Sequence, residues 1–220
     1  MNRRARTRVG IGTAAILLGV TIAAQAGPPL ICHPLDIGAA RTLPAVGWND
    51  VAGSGYDLKN LVHDTLEILN PATPVLVRME TLRRATIYTR QDPPVAKELL
   101  VRLHERAVNS DAAGHPDALA WFDAGYLAEA YKEWMRQGTN PASGLDGYAQ
   151  VERAIRLRGS DAEMEFAAAL ITLRNSGRNP GDHAQRAVEG AKSDPLLARN
   201  LAATFDHHTL SALLTSPETK

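Results

Sequence analysis

The chain has 220 residues and balances 24 lysines and arginines against 24 aspartates and glutamates. That balance gives no electrostatic case for nucleic acid or an anionic membrane surface, so neither is expected as a partner. A single cysteine, Cys32, excludes an intramolecular disulfide, and stability has to come from an apolar core.

The first expected element is a targeting segment. Arg3, Arg4, Arg6 and Arg8 precede an apolar run from Val9 to Ala24, and Ala24-Gln25-Ala26 puts small residues where a signal peptidase requires them. Residues 1–26 therefore read as a signal peptide cleaved after Ala26, and the product as an exported protein of the periplasm or beyond. The run is shorter than the roughly 20 apolar residues of a membrane-spanning helix. Arg6 and Thr7 stand where a twin-arginine signal wants apolar residues, so the general secretory route is expected. Cleavage would remove four basic and no acidic residues, leaving 20 against 24 in 194 residues, a length suited to one domain.

Residues 27–55 read as an extended, irregular arm: Gly27-Pro28-Pro29 opens it, Pro34 and Pro44 interrupt it, and Gly47, Gly53 and Gly55 close it. Leu30, Ile31, Leu35, Ile37, Leu43, Val46 and Trp48 are too apolar for a solvated tether, so the arm should lie across the body, with one short helical turn near Asp36 to Arg41.

From residue 56 to 215 every apolar pattern has helical spacing. A helix from Asp57 to Leu69 carries Leu58, Leu61, Val62, Leu66 and Leu69 on one stripe. Thr73 then precedes Pro74 as the cap of a second helix, and Asp92 precedes Pro93 as the cap of a third with Leu99, Leu100 and Leu103 inside. The central element is His115 to Gln137, which holds Trp121, Phe122, Tyr126, Tyr131 and Trp134, five of the eleven aromatics, and is terminated by Gly138. Asp146 caps the next helix and Gly159 closes it. Ser160 and Glu163 have capping-box spacing ahead of a helix from Ala162 to Asn175. Helices over Asp182 to Lys192 and Pro195 to Phe205 follow, then an apolar tail at Leu210, Leu213 and Leu214 and a frayed tip, residues 216–220. The expected fold is all-α, with at least seven helices in stacked antiparallel hairpins and no sheet.

Short strings recur along this series. Glu105-Arg106-Ala107 returns as Glu152-Arg153-Ala154, and Phe122-Asp-Ala-Gly-Tyr-Leu lines up with Phe166-Ala-Ala-Ala-Leu-Ile, at uneven spacings. Trp121 and Gly125 stand four apart, and Ala184, Val188, Ala191 and Pro195 follow in a second pattern. At these residues the chain resembles the tetratricopeptide-repeat family over about residues 95–205. Ala124 and Ala128 depart from that family's Leu and Tyr, so the hairpins it implies are irregular. Ile31-Cys-His-Pro-Leu-Asp-Ile-Gly and Arg78-Met-Glu-Thr-Leu-Arg-Arg-Ala resemble a family of exported bacterial proteins of unknown function, which implies export and supplies no activity to carry over.

Two clusters carry residue types suited to chemistry. Cys32, His33 and Asp36 offer a thiol, an imidazole and a carboxylate, but neighbours on an extended segment point to opposite sides, which favours a buried Cys32 with His33 hydrogen-bonded nearby. Arg78, Glu80, Arg83 and Arg84 can bind a carboxylate or phosphate; the structural reading pairs Glu80 with Arg84, sets Arg78 against an arm carboxylate such as Asp36, and leaves Arg83 and Arg84 in solvent. Trp121, Tyr126, Tyr131 and Trp134 form an aromatic stripe that reads as core or as the wall of a partner groove. His207-His208 beside Asp206 reads as a polar helix end. No metal or cofactor is expected, and no phosphate loop, His-Glu-x-x-His or nucleophile elbow is present. The expectation is a non-catalytic scaffold for a protein or peptide in the cell envelope. The competing expectation is a small-molecule-binding protein or enzyme using Cys32, His33 and Asp36 with the arginine cluster.

Overall fold

The computed structural model describes residues 27–47, 55–173, 180–205 and 210–211. The expected signal peptide, Trp48 and Gly53 of the arm, Asp206 to His208, Leu213, Leu214 and the tip lie outside these residues. The described chain is all-helical. Nine α-helices occur in it: α1 (Pro29–Cys32), α2 (Leu61–Ile68), α3 (Val75–Thr89), α4 (Pro93–Ala112), α5 (Ala118–Trp134), α6 (Gly147–Arg158), α7 (Ala162–Thr172), α8 (Gly181–Ala191) and α9 (Pro195–Thr204), with one 3-10 turn, Leu58–Asn60, ahead of α2. No strand occurs among the described residues, and none of their helices is long and apolar enough to cross a membrane.

Aspartate starts most of these helices. Asp92, Asp117, Asp146, Asp161 and Asp194 each stand at an N-cap and accept hydrogen bonds from backbone amides of the first turn, which satisfies donors that the helix itself leaves open. Three boundaries differ from expectation, two of them for this reason. The aromatic helix begins after Asp117 rather than at His115, because a carboxylate there reaches the amides of Leu119 and Ala120. It ends at Trp134, short of Gln137, where the carbonyl of Tyr131 accepts from both the Met135 amide and Asn140 Nδ2. Asp161, not Ser160, caps α7; Ser160 adopts φ +50° directly after Gly159 at φ +76°, and Glu163 is engaged elsewhere. Thr73 is no cap either, since its hydroxyl donates to Ile68 O at 2.5 Å.

The helices stack as hairpins in two rows. Helices α3, α5 and α7 touch one another along an inner row, while α4, α6 and α8 pack outside them and α9 closes on α8. Helix α5 is central, with contacts to α1, α3, α4, α6 and α7. Its Phe122, Tyr126 and Tyr131 are essentially solvent-free, and the Phe122 and Tyr126 rings stack with centroids 5.7 Å apart. The tightest crossing is α5 on α6. A Cβ on Gly125 would lie 2.5 Å from Gly147 O, and one on Gly147 would lie 2.5 Å from Gly125 O, so the two backbones meet through paired glycines.

The arm does lie on the body, as its apolar residues require, but it is not extended throughout. Leu30 and Ile31 sit in the one-turn helix α1, with Leu35 and Leu43 further along, and all four are buried. Between Asp36 and Arg41 the chain makes a turn at Gly38, φ +61°, rather than a helix.

Candidate functional site

The polar face of α3 looks inward at the arm. Glu80 is fully buried there and is held by Arg83 Nε at 2.7 Å, Arg83 Nη2 at 2.9 Å and Arg84 Nε at 2.7 Å. Burial works to raise this carboxyl, but the hydrogen bonds and charges of Arg83 and Arg84 and the amide of Leu35 overcome it, so Glu80 titrates below its ordinary range. The Glu80 to Arg84 pair matches the i,i+4 expectation. Arg83 and Arg84 are not solvated: Arg83 is 4% exposed, because both guanidiniums have a second task.

That task is holding the main chain of the arm. Arg83 Nη1 donates to Ile31 O at 3.0 Å, Arg84 Nη1 to Leu43 O at 2.5 Å, and Tyr88 Oη to Pro44 O at 3.3 Å. Glu80 Oε2 accepts from the Leu35 amide and Glu133 Oε2 of α5 from the Leu30 amide, each at 3.0 Å. At the far end Asn200 of α9 clamps one residue twice: its Oδ1 accepts from the Asp36 amide and its Nδ2 donates to the Asp36 carbonyl, both at 2.8 Å. The Asp36 carboxylate accepts from Arg199 Nε at 2.8 Å, which holds its carboxyl below the ordinary range. The arm's first turn packs on α3, α5 and α7. The site is thus a groove along the inner row that grips a backbone by side chains and takes its apolar residues into the core.

Arg78 belongs to a different cluster, and its expected pairing with Asp36 is corrected. It is wholly buried, with Nη1 donating to Asp123 of α5 at 2.6 Å, Nε to Thr73 O at 3.0 Å, and Nη2 to Asn70 O. The connection between α2 and α3 brings the Asn70 and Thr73 carbonyls to this point, and a planar guanidinium bonds both while tying them to α5. Burial pushes the Asp123 carboxyl up to about 6 against the opposing charge and hydrogen bond of Arg78, and its Oδ1 has no partner among the described residues. Cys32 is half-buried at the end of α1, and His33 is its C-cap. Arg78 is bonded to Asp123, and Asp36 to Arg199 and Asn200, so these two of the expected site residues are held apart in separate clusters.

The aromatic stripe divides. Tyr126 and Tyr131 are core residues with no solvent-facing wall, and burial raises both phenols. The charges of Glu133 and Glu80 also raise the Tyr126 phenol. Trp121 donates from Nε1 to Asp111 at 3.1 Å and carries the Arg153 guanidinium 4.3 Å above its ring; Arg90 lies 4.4 Å over Trp134. These two tryptophans therefore fasten helices with cations rather than lining an open groove.

Sequence reading missed a second polar cluster, since its members are scattered over three helices. His183 of α8 has Nδ1 2.6 Å from Glu165 Oε2 and Nε2 2.7 Å from the Tyr148 hydroxyl, while Arg186 Nε donates to Glu165 Oε1 at 2.7 Å. Burial acts to raise Glu165, but the His183 and Arg186 hydrogen bonds leave it lowered. Both ring nitrogens are engaged by protein groups, so the cluster joins α6, α7 and α8. For a metal, His63, Asp64 and Glu67 bring one ligand atom each within 4.8 Å of one another on the surface; Asp64 accepts from Tyr56 Oη at 2.6 Å, and Glu67 pairs with Arg41 at 3.1 Å. An apolar cavity of about 510 Å³ lies between α8 and α9, lined by Val188, Leu201, Phe205 and Leu210 among others.

Comparison of the chain with family models, with curated proteins and with solved structures gives no match.

Proposed function

We propose that this is a non-catalytic helical-hairpin scaffold, related in design to tetratricopeptide repeats, which works in the cell envelope after export and engages a protein or peptide through its inner row. The observation that carries this reading is the groove itself. Six side chains from α3, α5 and α9 are spent on the backbone of one irregular segment, which is what a surface for chain recognition needs and a reaction centre does not. Stacked hairpins present such a row as one continuous concave face. Export is supported by the arginine-led apolar run and the Ala24-Gln25-Ala26 site.

Position-specific photo-crosslinking in cells tests it. A photoreactive residue at Arg199, on the exposed rim of the groove, should give discrete adducts with another protein. The same residue at Val108 or Leu157, exposed on the outer helices α4 and α6, should give none. Adducts confined to the outer positions, or to neither set, would remove the inner row as the working face. N-terminal sequencing of the exported protein should begin at Gly27; retention of residues 1–26 would defeat the export half.

A further inference from the structure

The groove floor contains an ionised carboxylate and a guanidinium, Glu80 and Arg83, that the arm covers completely. Burying this pair carries a desolvation penalty, as it does for Arg78 and Asp123 in the core, and hydrogen bonds to nearby backbone offset it. Charged groups earn their place where a chain docks by its backbone, since they stand pre-aimed at its amides and carbonyls. Here the leftover capacity of the pair goes to Leu35 N and Ile31 O. Selectivity comes from the side chains between those grips: Leu30 and Ile31 enter the core together, Leu35 follows four residues later, and Asp36 meets Arg199 and Asn200.

We propose that this groove is the docking site for a segment of another protein with the pattern apolar, apolar, any three residues, apolar, acidic, its first two residues in one helical turn, and that residues 30–36 of the chain occupy it as a tethered competitor. The proposal rests on the scaffold reading and names its ligand. A tethered occupant acts at high effective concentration, so an incoming segment binds weakly until the arm is displaced.

A labelled synthetic peptide of residues 28–46 supplies the probe, titrated by fluorescence polarisation into the full chain beginning at Gly27. Leu35→Asp or Asp36→Arg in the protein weakens its own arm and leaves the groove intact. Either variant should bind the peptide about ten-fold more tightly than the unaltered protein. Adding Asn200→Ala to the Asp36→Arg protein should abolish that binding. In a charge exchange, the Arg199→Asp protein should prefer an Asp36→Arg peptide over the natural one. Asp36 is on the surface, so its variant decides the matter even where Leu35→Asp fails to fold. No binding by an Asp36→Arg protein that keeps its helical circular dichroism and cooperative melting overturns the proposal, as does equal affinity for the variant and the unaltered protein. Rim crosslinks in cells persist if only the ligand pattern is wrong and vanish if the scaffold reading is wrong.

Discussion

Asp123 shows how one side chain sets a local balance. It sits at the centre of α5 with one oxygen on Arg78 and the other unpartnered among the described residues, in surroundings that exclude water. Burial raises its carboxyl to about 6 from an ordinary 3.8, so between those values the folded protein holds a proton that the unfolded chain releases. Its contribution therefore falls as pH rises from about 4 to about 6. Glu80 and Glu165 act with the opposite sign. Their carboxyls are lowered from 4.5, so the stability they add is present above that value and is lost as pH falls through their folded range. The three can be separated by a difference measurement. Relative to Asp123→Asn, the unaltered protein should gain stability in urea titrations as pH is lowered from 7 to 4. A difference independent of pH would mean that Arg78 keeps Asp123 ionised throughout.

Between elements, two devices decide how helices meet. The α5 and α6 backbones approach through Gly125 and Gly147, and a side chain at Gly125 would strike the backbone oxygen of Gly147, which cannot turn aside. Gly125→Leu should therefore separate this pair and cost several kcal/mol, on the order of the most damaging core substitutions; an unchanged urea midpoint would contradict the crossing. The second device is the long-range carboxylate cap. Glu163 Oε2 of α7 accepts from the Leu76 amide at the start of α3, and Glu129 Oε1 of α5 accepts from the Tyr148 amide at the start of α6, each at 3.0 Å. Helix α3 begins after Pro74 with no side-chain cap of its own, so Glu163 supplies it. Glu163→Ala should cost about 1 kcal/mol, the usual value of a cap, while Glu163→Gln keeps an acceptor and should lose less. Equal losses for the two variants would show that charge, not acceptance, is what α3 needs.

At the scale of the whole molecule, the helical class and the hairpin order were legible because period 3.6 and the Asp, Pro and Gly punctuation are local signals. The centrality of Trp121 to Trp134 was legible for the same reason, from aromatic density. What could not be read was pairing across distance. Nothing in the sequence links Arg78 to Asp123, 45 residues on, or Asp36 to Asn200, 164 residues on. The arginine cluster was visible, but a spacing rule assigned Arg83 and Arg84 to solvent, since only the fold brings an arm over them. The Tyr148, His183 and Glu165 cluster left no spacing signal at all, being assembled by α6, α7 and α8 together.

That arm gives the molecule its last testable property, a hierarchy of opening. Helix α5 is enclosed by α1, α3, α4, α6 and α7, so its interior amides can exchange with solvent only when the hairpins come apart. The arm amides of Leu30, Leu35 and Asp36 are held instead by single side chains, Glu133, Glu80 and Asn200, which remain folded on their helices if the arm lifts away. Native-state hydrogen exchange should therefore resolve two classes. The arm amides should exchange through an opening of lower free energy with weak dependence on denaturant, because few residues are uncovered. Amides around Phe122 and Tyr126 should follow the global unfolding energy and its full denaturant slope. If the arm amides track α5 in both energy and slope, the arm docks only as part of global folding, and it could not give way to another chain.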